Sequence, residues 1–95
     1  MVLRIESLEI ADHILEKVES KHRVSFAEVE EACLSDWRHV RRDRAGLYKP
    51  FSQTDAGRYL LVVLVELGGG SWRIAAAREM QDSERRLYLR ARGGG

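Results

Sequence analysis

The hydrophobic residues near the start of the chain recur at every fourth position. Ile10, Ile14 and Val18 form a stripe that His22 continues, while acidic residues occupy the other side of the same segment. This period is typical of an amphipathic α-helix that packs one face against a core. We therefore predict a helix of about three turns that begins at Ile10.

A second helix is predicted directly after the first. Ser25 and Glu28 have the spacing of a capping box, in which the serine hydroxyl and the glutamate carboxylate each accept a backbone amide of the first turn. The positions that follow are apolar at helical spacing: Val29, Ala32 and Cys33. We expect a short helix from Ser25 onward, with Cys33 as a core thiol.

Three segments have the pattern of β-strands. Residues 2–9 alternate imperfectly between apolar and polar side chains, which indicates an edge strand. Residues 37–42 and 47–53 flank the turn-like sequence Asp43-Arg44-Ala45-Gly46, which indicates a hairpin. Pro50 has no amide to donate, so the second strand of this hairpin is expected at an edge or at a bulge.

Residues 58–65 are apolar on both faces, as a strand must be when both of its sides are covered. We predict a central strand here. Leu61 and Val63 on one face, and Val62 and Leu64 on the other, should be nearly inaccessible to solvent.

The last third of the chain completes the fold. Three glycines, residues 68–70, supply the positive φ angles of a tight connection. Residues 72–78 then form the antiparallel partner of the central strand, and a final helix runs from about Asp82 to Arg92. The elements describe one α+β domain over residues 1–95: two N-terminal helices, an antiparallel sheet of about five strands that is mostly a meander, a C-terminal helix, and a frayed tail at 92–95.

Composition excludes several classes of protein. With 44% hydrophobic and 33% charged residues, the chain lies outside the disordered class. One cysteine and three scattered histidines exclude a disulfide scaffold and supply no recognisable zinc site. The longest apolar run, residues 59–65, is too short to cross a membrane. We expect a cytoplasmic protein with no membrane association and no metal or other cofactor.

The net charge of +1 hides an uneven distribution. Residues 1–35 carry about −4, whereas residues 36–95 carry about +5, and 13 of the 16 basic residues are arginine. Arginine matches phosphate with a planar fork and stacks on bases, which favours a nucleic-acid surface, although genome composition explains arginine abundance equally well.

Motifs for nucleotide or metal chemistry are absent from the sequence, and the remaining candidates are cationic. Lys21 and His22 end the first predicted helix, Arg58 begins the central strand, and Arg78 ends the next strand. Further candidates lie on the final helix: Arg85, Arg86 and Tyr88.

Four segments, in this order and spacing, resemble the BrnT-type toxins. They are Lys21-His22-Arg23-Val24-Ser25-Phe26, Gly57-Arg58-Tyr59-Leu60-Leu61-Val62-Val63, Ala77-Arg78-Glu79-Met80 and Glu84-Arg85-Arg86-Leu87-Tyr88. The family consists of the ribonuclease halves of bacterial type II toxin–antitoxin pairs. The resemblance covers nearly the whole chain and implies a RelE-like fold and metal-independent cleavage of mRNA.

Such cleavage needs a base for the 2′-hydroxyl, an acid for the leaving 5′-oxygen and cations around the phosphate. The resemblance carries Lys21, His22 and Arg78 into the family's motifs. We infer His22 as base or acid and Arg78 as a phosphate clamp, with Arg58, Arg85, Arg86 and Tyr88 as RNA-binding residues. The resemblance also implies a cognate antitoxin, often a ribbon-helix-helix protein. The edge strand at residues 2–9 and the apolar central strand indicate that a partner completes the sheet, in a homodimer or a toxin–antitoxin hetero-oligomer.

The same residues also admit structural interpretations. Lys21 and His22 are typical last-turn residues of a helix, Arg78 can pair with Glu79 at the surface, and the arginines of the final helix can be a solvated face. The chain also departs from the family's pattern, with Arg23 in place of a glycine, Val18 in place of an asparagine and Gln53 in place of an arginine. An inactive RNA- or protein-binding module on the same fold is therefore the alternative function.

Overall fold

Five strands form one sheet in the order β1-β5-β4-β3-β2. The structure, a computed structural model, describes residues 3–93. The strands are β1 (Ser7–Ile10), β2 (His39–Arg42), β3 (Tyr48–Gln53), β4 (Tyr59–Gly68) and β5 (Ser71–Glu79). Strands β2 to β5 form an antiparallel meander, and β1 pairs with β5 in parallel. The predicted α+β class with a mostly antiparallel sheet is confirmed.

Helices cover the two faces of the sheet unequally. The N-terminal pair, α1 (Asp12–His22) and α2 (Phe26–Cys33), packs on one face, and α3 (Asp82–Ala91) packs on the other. The capping box is present: the Ser25 hydroxyl accepts the Glu28 amide at 3.1 Å, and the Glu28 carboxylate accepts the Ser25 amide at 3.0 Å. The first helix begins two residues later than predicted, because Ile10 still pairs with Ile74 in the sheet.

The main core lies between the sheet and the N-terminal helices. Its fully buried side chains come from four elements. They are Val18 of α1; Val29, Ala32 and Cys33 of α2; Leu60, Val62 and Leu64 of β4; and Ile74 and Ala77 of β5. Burial raises the pKa of the Cys33 thiol to about 12, in keeping with its predicted role as a core thiol. A smaller cluster on the other face joins Phe51, Leu61, Met80 and Tyr88.

Three details of the sheet differ from the sequence prediction. The N-terminal strand was predicted over residues 2–9 but starts at Ser7. Leu3 is buried in the main core instead of lying in the strand, and residue 2 lies outside the described residues. Strand β3 is interior, not at an edge, and Pro50 leaves the register between β3 and β4 unchanged. The described pairs with β4 stop at Tyr48 and resume at Phe51, so the proline interrupts the ladder without a bulge.

The predicted central strand is confirmed as interior, but its burial is incomplete. Leu61, Val62 and Leu64 are at most 5% exposed, whereas Val63 is half-buried. Val63 faces the α3 side of the sheet, where the helix reaches no further than Leu61.

The C-terminal end of the described residues is bonded to the rest of the fold through Arg92. Arg92 caps α3: its amide donates to the Tyr88 carbonyl at 3.0 Å and its guanidinium to the Gln53 side chain at 2.8 Å. The expected fraying at residues 94 and 95 lies outside the described residues. Among residues 3–93, no helix has both the length and the apolar character that crossing a membrane requires.

Candidate functional site

A row of four side chains crosses the α3 face of the sheet. The strand register aligns His39 with Phe51, Phe51 with Leu61, and Leu61 with Arg78. Helix α3 lies over this row, since Tyr88 packs with Phe51 and Leu61 in one cluster. The row therefore marks where the helix covers the sheet.

The next row on the same face lies two residues further along each strand. Arg41 pairs with Lys49 on one side, and Val63 pairs with Ala76 on the other. Arg41 and Ala76 are exposed, and Lys49 and Val63 are half-buried. Within residues 3–93, this part of the face has no helix over it.

A cleft of about 300 Å³ lies between α3 and these rows. Its floor is apolar and its rim is charged, and it is lined by Arg41, Arg42, Asp43, Lys49, Phe51, Leu61, Arg78 and Glu84. Arg42 borders the cleft, but its guanidinium lies over Tyr48, which packs against the main core on the other face. The other three cations and two carboxylates give the lining a net charge of +1. A cationic, partly open cleft of this kind suits a phosphate-bearing chain.

The cations of the cleft are not equally available. Lys49 forms a 3.5 Å ion pair with Asp43. The pKa of Asp43 is lowered, chiefly by the hydrogen bond from the Leu47 amide. Arg42 lies over the ring of Tyr48 at 5.1 Å. The side chain of Arg41 makes no hydrogen bond or ion pair among the described residues, so it is the cation of the cleft most accessible to a ligand.

Arg78 is held by α3. Its guanidinium donates to both carboxylate oxygens of Glu84, at 2.7 and 2.9 Å, and to the Glu79 carbonyl at 3.0 Å. The bonds to Glu84 raise the pKa of Arg78, and the bonds from Arg78 lower the pKa of Glu84. The ion pair considered from the sequence, with the side chain of neighbouring Glu79, is replaced by this pair with Glu84.

Arg58 has a different environment from the one predicted for an RNA-binding residue. It bridges the carboxylates of Glu28, at 3.1 Å, and Glu79, at 2.7 Å. It also donates to the Arg23 carbonyl at 2.7 Å. These bonds tie the end of α1 and the start of α2 to the sheet, so in this structure Arg58 serves the fold.

Lys21 and His22 lie at the end of α1, on the face of the sheet opposite Arg78. The main core places α1 on one face, whereas Arg78 is bound to α3 on the other. Arg58 joins this helix end to the end of β5, because it donates to the His22 carbonyl at 3.4 Å and to the Glu79 carboxylate at 2.7 Å. Among the described residues, no hydrogen bond or ion pair connects Lys21 or His22 directly to Arg78. Their predicted catalytic roles stay predictions, and the helix is capped not by His22 but by Arg23, in the left-handed conformation with φ 54°.

The three candidate residues on α3 differ in their exposure to solvent. Arg85 is exposed and lies over the ring of Tyr59 at 4.6 Å, and Arg86 is exposed. Tyr88 is fully buried, and its hydroxyl is 3.1 Å from the Gln53 side chain. Direct RNA contact by Tyr88 is therefore corrected to a packing role, because no surface of its ring or hydroxyl is left for a ligand.

Three residues of this face were missed as candidates: His39, Arg41 and Lys49. Alternation along β2 places His39 and Arg41 on one face, and the hairpin register places Lys49 opposite Arg41. The signal was present in the sequence, since residues 39 and 41 share a face of any strand. The pairing with Lys49 required the register.

A second groove, larger than the cationic cleft, has the opposite charge. It measures about 600 Å³ and is lined by four acids, one arginine and exposed Leu34; the charged residues are Glu30, Glu31, Asp36, Asp55 and Arg92. Its negative charge repels phosphate, so the smaller cationic cleft is the better candidate for RNA. Residues 3–93 contain no group of three metal-ligating side chains.

Acidification is expected to weaken the fold through two glutamates. The pKa of Glu28 is lowered, mainly by the Ser25 amide and then by Arg58, and that of Glu84 mainly by Arg78. Groups with depressed pKa values stabilise the folded state above the unfolded pKa of about 4.3, and this contribution is lost as the pH falls through the folded pKa. We predict that the melting temperature falls when the pH is lowered below about 4.5.

A Glu28→Gln/Glu84→Gln variant should have a lower melting temperature than the parent at pH 7, and its melting temperature should depend less on pH. Parallel pH profiles of the two proteins would contradict this assignment.

Comparison with known proteins supports the fold. The sequence matches no protein-family model and has no significant match among curated proteins. The structure is similar to the crystal structure of the Brucella abortus ribonuclease toxin BrnT, with a TM-score of 0.66 and 13% sequence identity. The similarity covers 80% of this chain and 97% of that chain. The predicted BrnT-type fold is confirmed.

Proposed function

We propose that this chain is a BrnT-like toxin of a type II toxin–antitoxin pair, a metal-independent ribonuclease that an antitoxin neutralises. The observation that carries the proposal is the cationic cleft beside α3, on a fold shared with a ribonuclease toxin. The RNA backbone would lie over the exposed part of the sheet, with its phosphates against Arg41, Lys49 and Arg78.

Arg78 fits the role of phosphate clamp that we inferred for it from the sequence. Of the five N–H donors of its guanidinium, three bind Glu84 and the Glu79 carbonyl. The two that remain, one on Nη2 and one on Nε, can donate to a phosphate. Glu84 meanwhile fixes the orientation of the guanidinium, so charge developing on the phosphate would meet a preorganised cation.

Other predicted residues contribute less directly to this proposal. Arg85 and Arg86 are exposed on α3 and can attract RNA without entering the cleft. A direct role for Lys21 and His22 requires the RNA chain to extend from Arg78 past the end of β5 to the end of α1. An antitoxin would inhibit by covering the cleft; a ribbon-helix-helix protein is the type that the resemblance implies.

The alternative is a binding module without catalytic activity. It is favoured by the engagement of Arg58 with two carboxylates and by the departures of the chain from the family's pattern at Val18, Arg23 and Gln53. Such a module would use the same cleft to bind RNA or a protein partner, and no bond would be cleaved.

Induction of the parent chain in bacteria, without an antitoxin, tests the proposal. We expect growth arrest, and the purified chain should cleave single-stranded RNA in the presence of EDTA. An Arg41→Ala/Lys49→Ala variant should lower cleavage by at least about tenfold, since two cations near the phosphate are lost.

The matched control is Arg4→Ala/Lys17→Ala, which removes the same charge from exposed positions outside the cleft. It should cleave as the parent does. A parent that is folded by circular dichroism and binds RNA, yet cleaves none, would refute the ribonuclease and favour the binding module.

A further inference from the structure

We propose that His39 is the proton acceptor for the 2′-hydroxyl in the cleavage reaction. The inference rests on the proposed function and adds to it a catalytic residue that the sequence prediction did not include. It is drawn from the position of His39 beside the cationic cleft, its packing and its charged neighbours.

His39 lies at the end of the row that borders the cleft. It is directly opposite Phe51, which forms part of the cleft floor, and their ring centroids are 5.8 Å apart. Arg41 follows on the same face of β2, about 7 Å further along the strand, and Lys49 is opposite Arg41. A phosphate held by Arg41 and Lys49 therefore places its attached ribose next to the imidazole.

The packing of His39 fixes the ring and leaves it half-buried. The ring stacks on Trp37 at 6.5 Å with an interplanar angle of 14°, and Trp37 in turn contacts Tyr88. A base held by aromatic neighbours on a strand is preorganised, because its rotamer is fixed before the substrate arrives.

The groups that face His39 keep the imidazole neutral. Burial lowers the pKa of His39, and the positive charge of Arg41 lowers it further. The uncharged ring of Phe51 faces the imidazole from β3. On the other side of Trp37 lies the guanidinium of Arg92, the residue that caps α3, at 5.8 Å from the indole ring. No carboxylate of the described residues bonds to the ring. At neutral pH the imidazole thus has a free lone pair, as a general base requires.

The step balances without a metal or a redox partner. An imidazole nitrogen takes the 2′-hydroxyl proton, the 2′-oxygen forms a bond to phosphorus, and the bond from phosphorus to the 5′-oxygen breaks. The leaving 5′-oxygen takes a proton from water, and the imidazolium returns its proton to the resulting hydroxide. The products are a 2′,3′-cyclic phosphate and a 5′-hydroxyl.

The test compares the parent with His39→Gln and His39→Ala on a single-stranded RNA oligonucleotide. Loss of a general base should lower kcat by about 10² to 10⁴-fold and change the RNA Kd by no more than about threefold. In the parent, kcat/KM should fall at acidic pH as His39 is protonated, and this fall should be absent from the residual activity of His39→Gln. Added imidazole should restore part of the cleavage by His39→Ala, which a merely structural role would not allow.

The control is His13→Gln, which alters an exposed histidine of α1 and should behave as the parent does. An active parent with an equally active His39→Gln variant, or a His39→Ala variant that is inactive and is not rescued by imidazole, overturns the assignment of His39 alone. A folded parent that binds the oligonucleotide and cleaves none overturns the proposed function and this inference together.

Discussion

Replacement of Val62 by aspartate is expected to abolish cooperative unfolding of the chain. Val62 is 1% exposed on the interior strand β4, where it packs in the main core against the N-terminal helices. A carboxylate there would have no cation or amide to bind, and burying such a group costs more than about 4 kcal/mol. Small domains are stable by only about 5 to 15 kcal/mol, so most or all of the stability would be lost.

The neighbouring residue supplies a matched control. Val63→Asp makes the same chemical change one position further along β4, but on the half-buried α3 side near the cations of the cleft. It should retain a cooperative thermal transition by circular dichroism. If Val62→Asp melts at the temperature of the parent, the assignment of this face to the core is wrong.

Arg78→Ala is expected to lower RNA cleavage by about 10² to 10³-fold, the usual effect of removing one preorganised donor from a transition-state charge. It should also reduce the salt dependence of RNA binding, with a change in the log–log slope of about 0.7 for one lost phosphate contact. Single-turnover kinetics and binding at several salt concentrations measure the two effects separately.

Two further variants make this result interpretable. Arg78→Ala leaves the carboxylate of Glu84 without its cation. Arg78→Ala/Glu84→Gln removes that unpaired charge but keeps an oxygen for the Gln81 amide, so it should show the same loss of cleavage with a more stable fold. Lys21→Ala and His22→Ala test the other predicted residues, which lie on the opposite face. If both Arg78 variants cleave RNA as the parent does, Arg78 is not part of the site. If Lys21→Ala or His22→Ala lowers cleavage, RNA also contacts the end of α1.

Local patterns were sufficient to predict the order of the elements. The capping box at Ser25 and Glu28 set the start of α2, and the apolar run around Val62 identified the interior strand. Both signals depend on residues close together in the chain, where periodicity and hydrogen-bonding geometry are nearly independent of the rest of the fold.

Predictions failed where distant segments decide the structure. Pro50 was expected at an edge, yet β4 provides enough pairing on either side of the proline to keep β3 inside the sheet. Arg58 and Arg78 look alike in the sequence, but Arg58 meets Glu28, thirty residues away, whereas Arg78 meets Glu84 across the other face. Which cation is left for a ligand depends on these tertiary partners.

The missed residues show the same limit at the site. His39 and Arg41 occupy one face of β2 whatever the fold, but their importance depends on where α3 ends its cover of the sheet. If α3 were displaced by one row of sheet residues, it would either cover Arg41 or leave Phe51 exposed. Register and helix placement, more than residue type, therefore define the cleft.

The parallel pairing of β1 with β5 also determines when the sheet can be completed. Ser7 meets Ser71 across a separation of 64 residues, and within residues 3–93 the strand β1 pairs with β5 alone. During synthesis β1 leaves the ribosome before β5, since two helices and three other strands separate them in the chain. The β2–β4 meander can assemble while translation continues, but the first strand must wait. Closure of the sheet is therefore a late event in the folding of the nascent protein.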